Sequence, residues 1–408
     1  MNFRHTRGIA LGCLQASLGM AAAFAMSYGQ TTSQLLSTSS LNEEPAVGLQ
    51  VLSLSKHLID EKTPGMEGVK FGNEGGEVVK DRRSTYHWFT SEQFGDPYWV
   101  ANRITHWTSR DGAQWVKDTT WSKEGNHDYT NSRDKASFFD PTVVYDRVSK
   151  YWYMFYVAYR CMPDKEYDEL RRKANPASAY NGGLNNRAQI YRSKALKRGL
   201  DGLGGPYHDN DADDVVVIEP LENPPPYEAR WVGDTKFGYG CATVTPYRIG
   251  RDWYILFAEN MLAKSSTLTG KFTRLPEGKD NPVSYSRPLM EWNKENSFTF
   301  YLENPIVYRI PKGSTGAGVY VMVVGEYVDH SIGVKETSYG FATSYDGILW
   351  SAVRPLSVRV GDCITACSFI PEGNDEYSIY VTGRDRYERF ARIRVKLSLS
   401  KGLSRTGK

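Results

Sequence analysis

Five runs dense in aromatic and β-branched residues recur along the chain, at 86–90, 151–157, 253–258, 320–324 and 377–381. That composition suits strands on a pleated, buried surface. Each follows, by about a dozen residues, another short apolar run with a polar or acidic residue at its entry: 76–79, 139–144, 241–246, 302–307 and 364–369. Third apolar runs at 104–109, 188–193, 340–344 and 391–395 extend the unit to strand, turn, strand, turn, strand. With the segment that follows the last hairpin, each unit predicts about four antiparallel strands. Units of this kind, repeated five times, predict an all-β fold, a five-bladed β-propeller over residues 46–400. A β-sandwich does not account for five similar units that each open on an acidic or polar residue.

Two units share one signature, Ser109-Arg110-Asp111-Gly112-Ala113-Gln114-Trp115 and Ser344-Tyr345-Asp346-Gly347-Ile348-Leu349-Trp350. The Asp-Gly pair predicts a tight hairpin, because Gly tolerates positive φ and Asp accepts from its own backbone; the Trp then enters a strand with its ring buried. These hairpins set the register of the repeat, marking units one and four. Length varies between units. Residues 164–175, charged and helix-permissive, the Gly/Asn-rich 180–186, and 208–230, acidic then Pro-rich, are expected as rim loops around one mouth of the propeller.

Ahead of the repeats, Arg4 and Arg7 precede an Ala-rich apolar run over 9–26. This reads as a secretory signal peptide, residues 1–28, followed by a Ser/Thr-rich linker over 29–45. The run is short and broken by Gly and Ser, which argues against a membrane anchor. Residues 401–408 read as a tail. The expected location is secreted or periplasmic, with no stable membrane insertion after cleavage. Export permits disulfides among Cys161, Cys241, Cys363 and Cys367, but spacing assigns no pairing, and no second zinc-type pair accompanies Cys363 and Cys367. Aromatic residues make up 13% of the chain, with 27 Tyr and 10 Trp. Sugar rings present flat C–H faces to such rings, although the cores of large β proteins need them too. The net charge of +3 comes without a basic run or stripe, so nucleic acid is not an expected partner.

In a propeller the first strand of each blade lines a central channel, so carboxylates far apart in sequence meet across one pocket. The candidates are Glu77, Asp140, Asp234 and Glu303. Breaking a glycosidic bond needs such a set: one group protonates the leaving oxygen while another activates water or attacks. Arg133 and His87 are candidates for contact with sugar hydroxyls. Trp88, Trp99, Trp107 and Trp152 are expected in the core. Asp209-Asn210-Asp211-Ala212-Asp213-Asp214 imitates the start of a calcium loop, but Asp214 stands where Gly is required and Pro220 where Glu is required. A solvated acidic loop is therefore expected; no organic cofactor is implied, and a structural calcium ion is the one metal left open.

Several motifs together resemble the five-bladed propeller glycoside hydrolases of family 43 and its relatives, families 32, 62 and 117. They are Phe139-Asp140-Pro141-Thr142-Val143 followed by Tyr151-Trp152-Tyr153-Met154-Phe155-Tyr156, Ser193 with Gly205-Pro206-Tyr207, Leu302-Glu303-Asn304-Pro305 followed by Tyr320, and the two Asp-Gly hairpins. The likeness spans residues 70–398. It implies three carboxylates on consecutive blades: Asp140 as general base, Asp234 as the group that tunes and orients, and Glu303 as general acid. This chain departs from the family in carrying a full unit ahead of Asp140. Either the blade order is permuted, or the register differs and Glu77 takes one of the three roles. Family 117 anhydrogalactosidases resemble this fold yet use a His as the acid, which makes His330 a reserve candidate. The implied activity is an exported glycoside hydrolase acting with inversion on a plant or algal polysaccharide or its oligosaccharides. The alternatives are a non-catalytic carbohydrate-binding propeller and a phosphorylase-like relative, and the latter needs a cationic phosphate cluster that the unit entries do not show.

Overall fold

The computed structural model describes residues 47–94, 102–118, 136–161, 184–190, 193–195, 218–219, 245–257, 261–268, 272–275, 305–329, 334–351, 353–384 and 389–399. The expected leader, linker and tail lie outside them, as does the acidic run 209–214. Strand β1 (Val47–Leu54) comes first. The first sheet then follows in simple order as β2 (Gly72–Lys80), β3 (Tyr86–Gln93), β4 (Asn102–Ser109) and β5 (Val116–Lys117). In the second, β6 (Ala136–Asp146) pairs with β7 (Tyr151–Cys161), and β7 with both β8 (Leu184–Ile190) and β9 (Ser193–Ala195). The third comprises β10 (Ile218–Glu219), β11 (Thr245–Ile249), β12 (Asp252–Phe257), β13 (Met261–Ser265) and β14 (Phe272–Arg274), in the order β10-β14-β13-β12-β11. The fourth is β15 (Ile306–Arg309), β16 (Tyr320–Asp329), β17 (Val334–Ser344) and β18 (Arg354–Pro355). The fifth joins β19 (Asp362–Ala366), β20 (Ile370–Gly373), β21 (Glu376–Arg384) and β22 (Arg389–Leu399) to β1.

Neighbouring sheets pack against one another. β2 packs on β6, β6 on β11 and β11 on β15, while β19 packs on β16 and β17 and also on β2. The fold is thus all-β, its sheets antiparallel apart from the β10–β14 pair and arranged as a β-propeller. Hydrophobic cores fill the wedges between sheets. Val78, Trp88, Trp107 and Trp115 of the first sheet meet Ile370, Tyr380 and Phe390 of the fifth, with Trp88 and Phe390 stacked at 3.8 Å. Tyr247, Leu256 and Leu262 of the third meet Tyr320, Met322 and Val324 of the fourth. Trp88, Trp107 and Trp152 are buried as expected, and Trp99 lies outside the described residues.

The paired hairpins have one geometry. Asp111 Oδ1 accepts from the Ala113 and Gln114 amides, each at 2.8 Å, and Gly112 N–H donates to Ser109 Oγ at 2.9 Å. The same bonds recur from Ile348, Leu349 and Gly347 to Asp346 and Ser344 at the same lengths. Each loop then docks on another sheet by a tyrosine: Tyr380 O–H donates to Gly112 O and Tyr247 O–H to Gly347 O, both at 2.9 Å. Gly112 has φ +70°, and a Cβ there would lie 2.1 Å from the Tyr380 hydroxyl. Turn chemistry and docking thus both select Gly.

Three expectations need correction. Residues 184–186, expected in a rim loop, belong to β8, where Asn185 pairs with Arg160 of β7. Residues 218–219, inside the second expected rim loop, form β10, which pairs in parallel with β14. Both follow from the ladder itself, because an extended segment beside an unpaired strand gains backbone hydrogen bonds whatever its composition. The third concerns Glu77 and Asp140, which lie within β2 and β6 rather than at strand entries. Both strands extend upstream by pairing with the far ends of β3 and β7, across a bulge in each case.

Candidate functional site

Glu77 sits just after the bulge in β2, whose register on β3 shifts between Glu74 and Glu77. Gly75 and Gly76 are the extra residues. Gly76 has φ +86°, and a Cβ on it would fall 1.8 Å from Phe89 O, so the strand closes here only with Gly. The Gly75 carbonyl is pinned from two sheets, accepting from Trp88 Nε1 at 3.2 Å and from Cys367 Sγ at 3.6 Å. Val78 N–H donates to Cys367 O at 2.7 Å on the far side of Glu77.

Asp140 occupies the corresponding irregularity in β6, whose ladder shifts between Phe139 and Thr142. It is buried, at 8% exposure, with φ +51°. Its N–H donates to Ser91 Oγ of β3 at 2.8 Å, and Val143 N–H donates to Glu77 Oε2 at 2.5 Å. Two hydrogen bonds therefore tie the second sheet to the first around the Asp140-Pro141 step. Burial raises the Glu77 pKa to about 8, and the Val143 amide only partly opposes it, so Glu77 is protonated at neutral pH. Burial also pushes the Cys367 thiol up; a hydrogen bond with Thr382 opposes this, and the charges of Glu77 and Asp140 add to it. Both carboxyl groups thus lie within electrostatic reach of one buried sulfur. Cys367 is a buried free thiol.

His87 belongs to a different constellation. Its Nε2 lies 3.3 Å from Asp81 Oδ2 and its Nδ1 3.0 Å from His106 Nε2, while His106 Nδ1 lies 3.1 Å from Asp118 Oδ2. Both ring nitrogens of His87 therefore face protein partners. Three contacts in series need three bridging protons, and two neutral imidazoles supply two. Burial lowers the pKa of His87 to about 4, helped by His106 and opposed by Asp81; burial lowers His106 as well, against Asp118.

Of the other candidates, Asp234, Glu303, Arg133 and His330 lie outside the described residues. Glu77 and Asp140 lie on neighbouring strands joined through the Val143 amide, and His87 joins the Asp81–Asp118 chain. Ser91 and Cys367 were not candidates on sequence. Nothing local distinguishes a strand serine or a core cysteine that meets another sheet, whereas the Gly75-Gly76 pair inside an apolar run is a readable bulge signal. Among the described residues, no group of three or more His, Cys, Asp or Glu side chains is placed to hold a metal ion. No helix among them is long and apolar enough to cross a membrane.

No protein-family model matches the chain, and no curated protein matches it. Solved structures do. A protein solved as an RGII complex superposes with a TM-score of 0.50 at 12% identity, covering 88% of this chain and 95% of its own length. An endo-arabinase from Bacteroides thetaiotaomicron matches at 13% identity and TM-score 0.45, over 86% of this chain and 100% of its own. An exo-β-1,3-galactanase from Phanerochaete chrysosporium matches at 12% identity and TM-score 0.45, over 84% of this chain; this chain spans 64% of the galactanase's length. At such identities the likeness is one of fold, and the first of these three is the match that carries it.

Proposed function

We propose that this chain is an exported glycoside hydrolase of the propeller type found in families 43, 32, 62 and 117, acting on a plant or algal polysaccharide or its oligosaccharides. The observation that carries the proposal is that Glu77 and Asp140 lie on β2 and β6, which pack on each other, with Glu77 accepting from Val143 of the strand that carries Asp140 and held protonated at neutral pH. Acid–base cleavage of an acetal needs carboxyl groups brought in from neighbouring strands, and these two come from consecutive sheets. In this reading each of the five sheets is one blade, with β1 completing the last, and residues 46–400 form the catalytic unit between a leader with its linker and a short tail. Asp140 acts as general base, taking a proton from the water whose oxygen attacks the anomeric carbon. The bond from that carbon to the leaving oxygen breaks as Glu303 delivers its proton to that oxygen, and the anomeric centre inverts. Asp234 orients Asp140 and tunes the acid. Glu77, uncharged at neutral pH, accepts from the Val143 amide three residues beyond Asp140 and adds no negative charge there.

The test is reducing-sugar release from arabinoxylan, arabinan, agar and carrageenan oligosaccharides by the full chain. Release by the wild type, lost about a thousandfold or more in both Asp140→Asn and Glu303→Gln, is the expected result. Binding of an oligosaccharide without release identifies a carbohydrate-binding propeller instead.

A further inference from the structure

Among the described residues, Asp140 is the only non-glycine residue with a left-handed backbone inside a β-strand. Ser84, Lys150, Ser357, Asn374 and Asp375, which share the sign of its φ, all sit in turns or bends. The following Pro141 narrows the choices of the residue before it still further. Such a conformation is strained, and it persists only where the surroundings over-determine it. The ladder between β6 and β7 skips this step, since its register shifts between Phe139 and Thr142. The first sheet supplies restraint on both sides of the bulge. Ser91, fully buried on β3, accepts the Asp140 N–H at 2.8 Å, and Glu77 accepts the Val143 N–H beyond the bulge. Ser91 is itself placed by register beside the β2 bulge, opposite Glu74.

We propose that Ser91 is a positioning residue for Asp140: its hydroxyl oxygen captures the buried amide and so holds the residue in its left-handed setting. The proposal rests on the reading of Asp140 as general base. Removing the oxygen deprives a buried N–H of its acceptor and frees the bulge to relax toward ordinary strand geometry. The carboxylate then leaves its working position while the remaining substrate contacts stay in place. Threonine keeps the oxygen; alanine deletes it.

The experiment compares wild type, Ser91→Ala and Ser91→Thr as full chains, reading deuterium uptake of the peptide spanning residues 138–146 together with kcat and KM on whichever glycoside the wild type cleaves. The expected result for Ser91→Ala is exchange of the Asp140 amide faster by about tenfold or more, kcat lower by a similar factor with KM unchanged, and recovery of both in Ser91→Thr. Should Ser91→Ala fail to fold, Ser91→Cys keeps the volume with a far weaker acceptor and carries the same expectations. Unchanged exchange in the folded variant overturns the proposal. So does faster exchange with undiminished kcat, or a loss that threonine does not repair. If the wild type cleaves no glycoside, the hydrolase reading and the catalytic half of this proposal fall together, and the exchange data alone decide whether Ser91 holds Asp140.

Discussion

At the scale of single residues, the most consequential groups are those whose protonation burial has moved. Glu77 keeps its proton until pH approaches about 8, against 4.5 in an unfolded chain. The folded state therefore holds more protons than the unfolded one across that window, and this contribution to stability is lost as pH rises through it. His87 works in the other direction. Its pKa falls from 6.5 to about 4, so the unfolded chain protonates first and stability is lost as pH drops from 6.5 toward 4. The two slopes oppose each other between 4.5 and 6.5, and among the described residues Glu77 alone is shifted across 6.5 to about 8. The urea midpoint of the wild type should thus fall between pH 6.5 and about 8, while that of Glu77→Gln stays level over the same range. Parallel curves for the two proteins would contradict a burial-raised Glu77. Residue types at these positions were readable, since Glu77 and Asp140 stood out as channel carboxylates. Their environments were not, because desolvation and the Val143 and Ser91 partners come from strands far away in the chain.

At the scale of elements, the Asp-Gly hairpins show how far local chemistry reaches. One carboxylate oxygen satisfies two backbone amides in each loop, which the Ser-x-Asp-Gly-x-x-Trp spacing alone predicts. Asp111→Ala and Asp346→Ala should each cost on the order of 1 kcal/mol, with additive effects in the double variant because the loops share no partner. Thermal unfolding of the two single variants and the double variant checks this; an interaction energy well above experimental error would show that the loops communicate. The strands themselves were legible at their centres, where aromatic and β-branched residues cluster, and poorly legible at their ends. β2 and β6 run past the residues that seemed to open them because their upstream halves pair across bulges. The first residues of β8 and all of β10 have compositions that suggest loops and become strand only because a neighbouring strand offers a ladder.

At the scale of the whole molecule, the ring is closed by its ends. β1 pairs antiparallel with β22 from Val47 opposite Leu399 to Leu54 opposite Ile393, and Val47 enters the core shared by the fourth and fifth sheets. Deleting residues 1–54 should lower the melting temperature by roughly 5 °C or more in scanning calorimetry, since it removes a full edge of ladder and uncovers β22. An unchanged transition would show that the fifth sheet stands without β1. By itself the sequence determined the all-β class, the repeating units, the two hairpins and the aromatic wedges, because each of these follows from patterns within about twenty residues. Only the tertiary structure decided that β1 joins the last unit, that Ser91 meets Asp140, and that His87 faces Asp81 and His106. Those contacts depend on which strands become neighbours and on bulges that shift side-chain alternation, and neither is written in any one local stretch of chain.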